Sequence, residues 1–183
     1  SELGMVTDAE WADVNLDGYP DLVISQDWGG ILVFKNEQGR KLVKHEMVPG
    51  SEGLWACLKP VDLDGDGDQD VIVSGLNEPV QVLKNKHDGK DDWVIIALDD
   101  PSHKGNRHGI GARIELSIGD QKQTRWIIGG GPFQSNIAPQ VHFGIGPLLG
   151  SLPKNSTSAS PVVVTVIWPD GERSTSMVAR GMR

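Results

Sequence analysis

The sequence predicts an all-β chain in which two β-propeller-type blades precede an antiparallel β-sandwich or barrel-like module. Three observations predict this architecture. A nine-residue acidic loop occurs twice at a fixed offset, each copy leads into a β-branched run, and the acidic loops give way to alternating strands near residue 90. We therefore expect two domains, at residues 1–90 and residues 91–183.

The two acidic loops share the pattern D-x-[DN]-x-D-G-x-x-D. Ca²⁺ takes six to eight oxygen ligands, and a tight turn can direct carboxylates from alternate positions to one point. Positions one, three, five and nine would supply side chains, position seven a backbone carbonyl, and the glycine the turn. The candidate ligands are Asp13, Asn15, Asp17, Tyr19 and Asp21 in the first loop and Asp62, Asp64, Asp66, Asp68 and Asp70 in the second. The sequence thus predicts two calcium sites, with tighter binding in the second because Asn15 removes one charge from the first.

Strands, rather than helices, are expected to follow both loops. An EF-hand begins with the same residues, but it needs a bidentate Glu at position twelve and a helix on each side. Position twelve is Ile24 in the first loop and Val73 in the second, and each lies in a β-branched run. The loops therefore connect strands.

An internal repeat extends beyond the loops. The loops start 49 residues apart (62 − 13), and the same offset aligns residues 33–36 with residues 82–85. A period near fifty residues, built of short strands and Gly, Asn or Asp turns, is typical of a propeller blade. The repeat resembles the FG-GAP or VCBS blade of integrin α-subunit heads and bacterial surface proteins, in which this loop holds calcium. Because propellers usually have at least four blades and this chain begins with Ser, we expect a processed product or a piece of something longer.

The second half reads as an antiparallel β-structure. Strands are predicted at residues 93–98, 112–118, 123–128, 140–144 and 162–168. Gly119-Asp120 and Pro169-Asp170-Gly171 are typical hairpin turns. The polar stretch 151–160 is predicted as an exposed loop within this module.

A series of motifs occurs in order in this half: Asn106-Arg107, Ile110-Gly111-Ala112-Arg113, Gly129-Gly130-Gly131, Ser135, His142-Phe143-Gly144-Ile145-Gly146 and Trp168-Pro169-Asp170-Gly171. The series resembles the ASPIC/UnbV domain of cartilage acidic protein-like proteins, where it follows FG-GAP blades. Ile145 departs mildly from the family's Gly-Leu-Gly. The resemblance implies a secreted, extracellular or cell-surface protein with a calcium-dependent scaffold, with the periplasm as an alternative, and a C-terminal module of no established chemistry.

Composition excludes several classes of function. The formal net charge of −8 argues against nucleic-acid binding, which requires clustered Lys and Arg. No apolar run approaches the roughly eighteen residues of a membrane span. The single cysteine, Cys57, cannot form an internal disulfide, and its apolar neighbours predict a packed thiol.

Other candidate binding residues are weighed against structural roles. Trp28 is predicted to be exposed and is the candidate aromatic for stacking on a sugar or partner, whereas the other tryptophans beside strands are predicted in the core: Trp11, Trp55, Trp93, Trp126 and Trp168. Asn106 and Arg107 lie in a basic, glycine-containing loop that either binds an anion or glycan or only fastens the fold. His142 is predicted as a half-buried packing residue and the remaining histidines as surface groups: His45, His87, His103 and His108.

The sequence therefore predicts a non-enzymatic, calcium-binding module that acts in adhesion, matrix interaction or assembly through a protein or glycan partner. No catalytic motif or further cofactor site is identified. The alternative is an accessory or catalytic fragment of a polysaccharide-active enzyme whose site needs further blades. Two unclosed blades also predict self-association through exposed sheet edges, unless the second module covers those edges.

Overall fold

The computed structural model of the chain describes residues 3–86, 93–130, 138–146 and 162–178. These residues form thirteen β-strands, which confirms the all-β prediction: β1 (Val6–Ala12), β2 (Asp21–Gly29), β3 (Leu32–Glu37), β4 (Lys41–Met47), β5 (Gly53–Val61), β6 (Asp70–Gly75), β7 (Gln81–Leu83), β8 (Trp93–Ala97), β9 (Arg113–Ile118), β10 (Gln121–Trp126), β11 (Gln140–Gly144), β12 (Val162–Ile167) and β13 (Arg173–Val178). The chain divides into two compact units, Ser1–Gly89 and Lys90–Arg183.

Strands β1 to β4 form the first blade, an antiparallel set in the order β1-β2-β3-β4. Its central strand β2 contains the run Leu22-Val23-Ile24, and β-branched residues favour extended backbone. The β3–β4 connection is a tight turn in which Gln38 and Gly39 have φ values of 55° and 73°. The turn is closed by the Gly39 amide, which donates to Asn36 Oδ1 at 2.8 Å.

Strands β5, β6 and β7 form the second blade, and they correspond in the repeat to β1, β2 and β3. The far end of β2 pairs with β5, so both blades belong to one seven-stranded sheet. The two blades also share a core: Ala12, Val23 and Ile31 of the first pack with Trp55, Leu58, Val71 and Val73 of the second. The blades therefore fold as one unit rather than as two independent repeats.

In the described part of the second unit, two antiparallel sheets surround one core. One sheet has the order β10-β9-β12-β13, and the other pairs β11 with β8. Val94 and Phe143 of the smaller sheet belong to the same buried cluster as Ile114, Leu116 and Val164 of the larger one. The described strands close no barrel, so the sandwich alternative holds for this part of the chain.

The hairpins predicted at residues 119–120 and 169–171 join β9 to β10 and β12 to β13. The last strand, β13, was not predicted, because its run Arg-Ser-Thr-Ser-Met-Val has little apolar content. Three features named above lie outside the described residues: the motif residues Gly131 and Ser135, the polar stretch 151–160, and His87. Residues 87–92 also lie outside them, so the domain boundary stays a prediction.

Two of the tryptophan predictions were wrong. The side chains of Trp11 and Trp126 are 59% and 56% exposed, whereas Trp55 and Trp168 are buried as predicted. Alternation along a strand identifies two faces, but only the assembled sheet decides which face is covered. Among the described residues, no helix is long and apolar enough to cross a membrane.

Candidate metal centres

The two acidic loops occupy equivalent places in the two blades. The first joins β1 to β2 and the second joins β5 to β6, so both lead directly into strands as predicted. Their backbones also agree. The fourth and sixth positions have positive φ in both loops: 56° at Leu16 and 87° at Gly18, then 82° at Gly65 and 97° at Gly67. The sequence repeat is therefore a repeat of loop conformation.

The first loop is organised around buried carboxylates. Asp13 and Asp21, at its two ends, are 4% and 0% exposed. The Gly18 amide donates to Asp13 Oδ2 at 2.8 Å, which folds the centre of the loop back onto its first residue. Asp17 Oδ1 accepts from the Tyr19 amide at 2.9 Å. The loop thus turns its acidic groups inward instead of leaving them in solvent.

The Asp21 carboxylate ties the loop to the neighbouring hairpin. Its oxygens accept hydrogen bonds from the backbone amides of Val14, at 3.2 Å, and Asn36, at 2.7 Å. Burial nevertheless raises the pKa of Asp21 above its ordinary value, and the negative charge of Asp17 adds to this effect. A cation bound in the loop would oppose both influences.

The second loop repeats this anchoring. Asp70 is buried and accepts from the amides of Leu63, at 3.4 Å, and Asn85, at 2.9 Å. Leu63 and Asn85 are the repeat equivalents of Val14 and Asn36. In both blades the ninth loop residue therefore connects its loop to the end of β3 or to the residues just after β7.

Three carboxylates of the second loop converge. Asp62, Asp64 and Asp66 each place one oxygen within 4.8 Å of the others. Asp62 is buried, while Asp64 and Asp66 are exposed, so the group opens toward solvent. Like charges at this separation repel one another and favour a shared cation.

Lys84 contacts this group, which the sequence alone did not reveal. Its ammonium forms an ion pair with Asp64 and lies 3.7 Å from Asp66 Oδ2. The hydrogen bond from Lys84 lowers the pKa of Asp64, and the same contact raises the pKa of Lys84. An internal cation therefore neutralises part of the second loop, and a metal ion would have to compete with it.

The donor atoms of both loops fit a hard divalent cation. The side chains offer carboxylate and amide oxygens, which are the ligands that Ca²⁺ prefers. Tyr19 and Asp68, the residues expected to contribute backbone carbonyls, lie at the same position of the two loops, with Tyr19 partly exposed and Asp68 buried. The choice of calcium and the individual ligand assignments stay predictions.

Trp28 is highly exposed, as predicted. It is 83% exposed, has a φ of 56°, and lies where the pairing of β2 with β5 is irregular. It borders an open cleft of about 650 Å³ that is also lined by Lys44, His45 and Met47. A bulky side chain with this backbone conformation is uncommon, and such positions cluster at functional sites.

Asn106 and Arg107 make contacts within their own loop. The Asn106 side chain donates to the Ile110 carbonyl at 2.9 Å and accepts from the Ile110 amide at 2.8 Å. Arg107 forms a bidentate ion pair with Asp99, which lowers the pKa of that carboxyl. These contacts favour the fastening role, and a ligand-binding role for either residue stays a prediction.

A further cluster combines a histidine with carboxylates in the second unit. His103, Asp170 and Glu172 place one possible ligand atom each within 4.8 Å of one another. The prediction that His103 is a surface group was wrong, since its side chain is only 12% exposed and stacks on Trp168. No pattern in the sequence predicted this cluster, because His103 and the Asp170 turn are far apart along the chain.

Comparison with known proteins supports both resemblances. The family model for ASPIC and UnbV matches residues 102–179, and the model for an FG-GAP-like repeat matches residues 13–73. Cartilage acidic protein 1 of Xenopus tropicalis is 32% identical over 137 residues, which cover 73% of this chain and 19% of that protein. The Homo sapiens protein of the same name is 29% identical over 157 residues, which cover 81% of this chain and 22% of that protein. The chain thus spans about a fifth of the length of these relatives.

Proposed function

We propose that this chain is a non-enzymatic, calcium-binding module of an extracellular matrix-type protein. It carries an FG-GAP-like repeat followed by an ASPIC and UnbV domain, and it is related to cartilage acidic protein 1. The observation that carries the proposal is the agreement of the two acidic loops in backbone conformation, in the burial of their first and last carboxylates, and in anchoring. Because the two loops repeat the same oxygen donors and the same conformation, we expect each loop to bind the same kind of ion.

Calcium would stabilise the blades rather than take part in chemistry. Each loop connects two strands, and its last carboxylate also accepts from the amide of Asn36, in β3, or of Asn85, just after β7. A cation shared by the loop carboxylates would hold the two strands and this amide in one arrangement. Binding free energy that is available only to the folded state adds to folding stability.

The partner surface that we propose is the cleft beside Trp28. An exposed indole supplies a flat apolar face with a polar edge, which suits a sugar ring or a protein side chain. Lys44 and His45 add polar donors to the same cleft. Loss of calcium-dependent binding on a glycan array or to matrix proteins after Trp28→Asn would support this surface, whereas unchanged binding would exclude it.

Thermal unfolding of the metal-stripped protein tests the calcium proposal. We expect Ca²⁺ to raise the melting temperature by several degrees, with a much smaller effect of Mg²⁺, because a stabilisation of about 1 kcal/mol shifts the midpoint by about 2–4 °C at this size. Asp64→Ala and Asn15→Ala should each reduce the calcium-dependent increase.

Asp120→Ala serves as the matched control, because it removes a carboxylate from the exposed turn between β9 and β10 and should leave the calcium response intact. If Ca²⁺ produced no shift, the acidic loops would be solvated turns, and if Ca²⁺ and Mg²⁺ produced equal shifts, the loops would bind divalent cations without selectivity for calcium. Either result would contradict the proposed function.

A further inference from the structure

We propose that His103, Asp170 and Glu172 form a binding site for a first-row divalent transition-metal ion of the Zn²⁺ class, chemically distinct from the oxygen-only loops of the blades. His103 lies in the loop between β8 and β9, whereas Asp170 and Glu172 belong to the turn between β12 and β13. The three ligand atoms therefore come from two separate parts of the second unit.

The orientation of His103 is fixed on two sides. Its ring stacks on Trp168, with centroids 3.8 Å apart and an interplanar angle of 10°. Its Nδ1 lies 3.2 Å from Asp100 Oδ2. Asp100 is in turn held through Oδ1, which accepts from the amide and hydroxyl of Ser102 at 2.8 and 2.6 Å. A carboxylate on one ring nitrogen is the usual partner of a metal-binding histidine, because it selects the tautomer that leaves the other nitrogen as a donor to the metal.

The position of Asp100 sets the role of each ring nitrogen. Because Asp100 Oδ2 lies 3.2 Å from Nδ1, it accepts the Nδ1 proton in the tautomer that leaves the Nε2 lone pair directed toward the β12–β13 turn.

The distances at Nε2 match a metal site better than a direct contact. Nε2 is buried and forms no hydrogen bond among the described residues. It lies 3.6 Å from Asp170 Oδ2 and 3.5 Å from Glu172 Oε2. Hydrogen bonds between nitrogen and oxygen normally measure about 2.7–3.2 Å. Ligand atoms about 2.0–2.1 Å from a tetrahedral Zn²⁺ are about 3.3–3.4 Å apart, which is close to the separations at Nε2.

The β12–β13 turn presents its two carboxylates to this point. Asp170 Oδ1 accepts from the Glu172 amide at 3.0 Å, so one oxygen shapes the turn and the other faces His103. The Trp168 amide donates to the Glu172 carbonyl at 2.9 Å, which closes the turn beneath the stacked indole. The same hairpin therefore fixes both the carboxylates and the surface on which the imidazole lies.

The donor set selects the class of ion. Imidazole nitrogen suits Zn²⁺, Cu²⁺, Fe²⁺ and Ni²⁺, whereas Ca²⁺ and Mg²⁺ prefer oxygen ligands alone. Two carboxylates would neutralise the divalent charge. Their side chains are 59% and 67% exposed, so the ion has access from solvent and a fourth position is open to water or to a group of another molecule.

The test uses tag-free, metal-stripped protein in excess Ca²⁺, which saturates the acidic loops, titrated with Zn²⁺ against a chromophoric chelator. We expect one equivalent of bound Zn²⁺, and Co²⁺ in its place should give the visible absorption of a tetrahedral site. Asp100→Asn should weaken Zn²⁺ binding about 10- to 100-fold, the effect typical of a residue that orients a ligand. His103→Gln and Glu172→Gln should weaken it further.

His108→Gln is the matched control, since this exposed histidine lies in the same loop outside the cluster and should bind Zn²⁺ like the wild type. Glu172→Gln changes an exposed side chain, so it remains informative if His103→Gln disturbs the stack on Trp168; near-ultraviolet circular dichroism checks that packing. Absence of a one-equivalent step would overturn the proposal. An equivalent unchanged in both His103→Gln and Glu172→Gln would also overturn it.

Discussion

Single side chains decide how strongly each acidic loop attracts a cation. Asn15 donates its amide to Asp17 Oδ2 at 2.9 Å, which uses one acidic oxygen of the first loop internally. In the second loop Asp64 supplies a full charge at the equivalent position, but Lys84 contacts both Asp64 and Asp66. The advantage expected from the extra carboxylate is therefore opposed by a lysine that the loop pattern does not contain.

Replacing Lys84 tests this competition. Lys84→Gln should strengthen calcium binding at the second loop about threefold, since exposed ion pairs are weak and the ammonium is easily displaced. Isothermal titration calorimetry with Ca²⁺ measures the change. Lys86→Gln removes the same charge two residues further along and should alter affinity less. Equal effects of the two variants would indicate a general influence of net charge rather than the Lys84 contact.

At the scale of the element, each acidic loop links two strands through the backbone and a third segment through hydrogen bonds. Asp21 connects the β1–β2 loop to the end of β3 through the Asn36 amide, and Asp70 makes the equivalent connection to Asn85. The backbone amides of Asn36 and Asn85 each donate to a carboxylate at the end of an acidic loop. The arrangement of the strands therefore depends on the charge state of that carboxylate.

The raised pKa of Asp21 predicts a specific pH dependence. A carboxyl whose pKa is higher in the folded state stabilises the fold fully below its ordinary value of 3.8, and this contribution is lost as pH rises through the raised pKa. In metal-free protein, the unfolding free energy of the wild type minus that of Asp21→Asn should therefore decrease from pH 3.5 to pH 7. Urea denaturation across this range measures it.

Calcium should reverse this trend, because a bound cation favours the ionised carboxylate. With Ca²⁺ present, the same difference should increase toward pH 7. Asp120→Asn is the control for a solvated carboxyl. If the stability of the wild type relative to Asp21→Asn increased with pH in metal-free protein, that result would contradict the conclusion that burial disfavours the ionised form of Asp21.

At the scale of the whole molecule, two units carry two kinds of candidate site. Both acidic loops belong to the unit whose core joins the two blades, and the histidine cluster belongs to the unit built from β8 to β13. The blade sheet ends at β4 and β7, and β4 carries Lys41 and Lys44. Charged edge strands discourage pairing between copies, and self-association stays a prediction.

Hydrogen exchange can localise the effect of calcium. Ca²⁺ should increase the protection of amides in β1 to β7, particularly those of Val14, Asn36 and Asn85. A ligand that joins these strands makes their local opening less favourable, and amide exchange measures that opening. Amides of β9 and β12 should change little. A uniform gain across both units would show that calcium acts on the chain as a whole and not through the two loops.

The sequence by itself determined the class of structure and the positions of the acidic loops. The 49-residue offset and the β-branched runs are local patterns, and short-range backbone preferences convert them directly into turns and strands. Repetition added a second, independent copy of the same information. For this reason the loop conformations at Leu16 and Gly65 agree although one residue is buried and the other exposed.

Only the tertiary structure decided which distant side chains meet. Lys84 approaches Asp64 because the third strand of the blade returns beside its loop, and His103 faces Asp170 because two connections of the sandwich lie together. Trp11 and Trp126 are exposed because the packing of the sheets, not the alternation of a strand, determines which face is buried. Such contacts depend on the arrangement of whole elements, and that arrangement is set by the shared core of each unit rather than by any local run of residues.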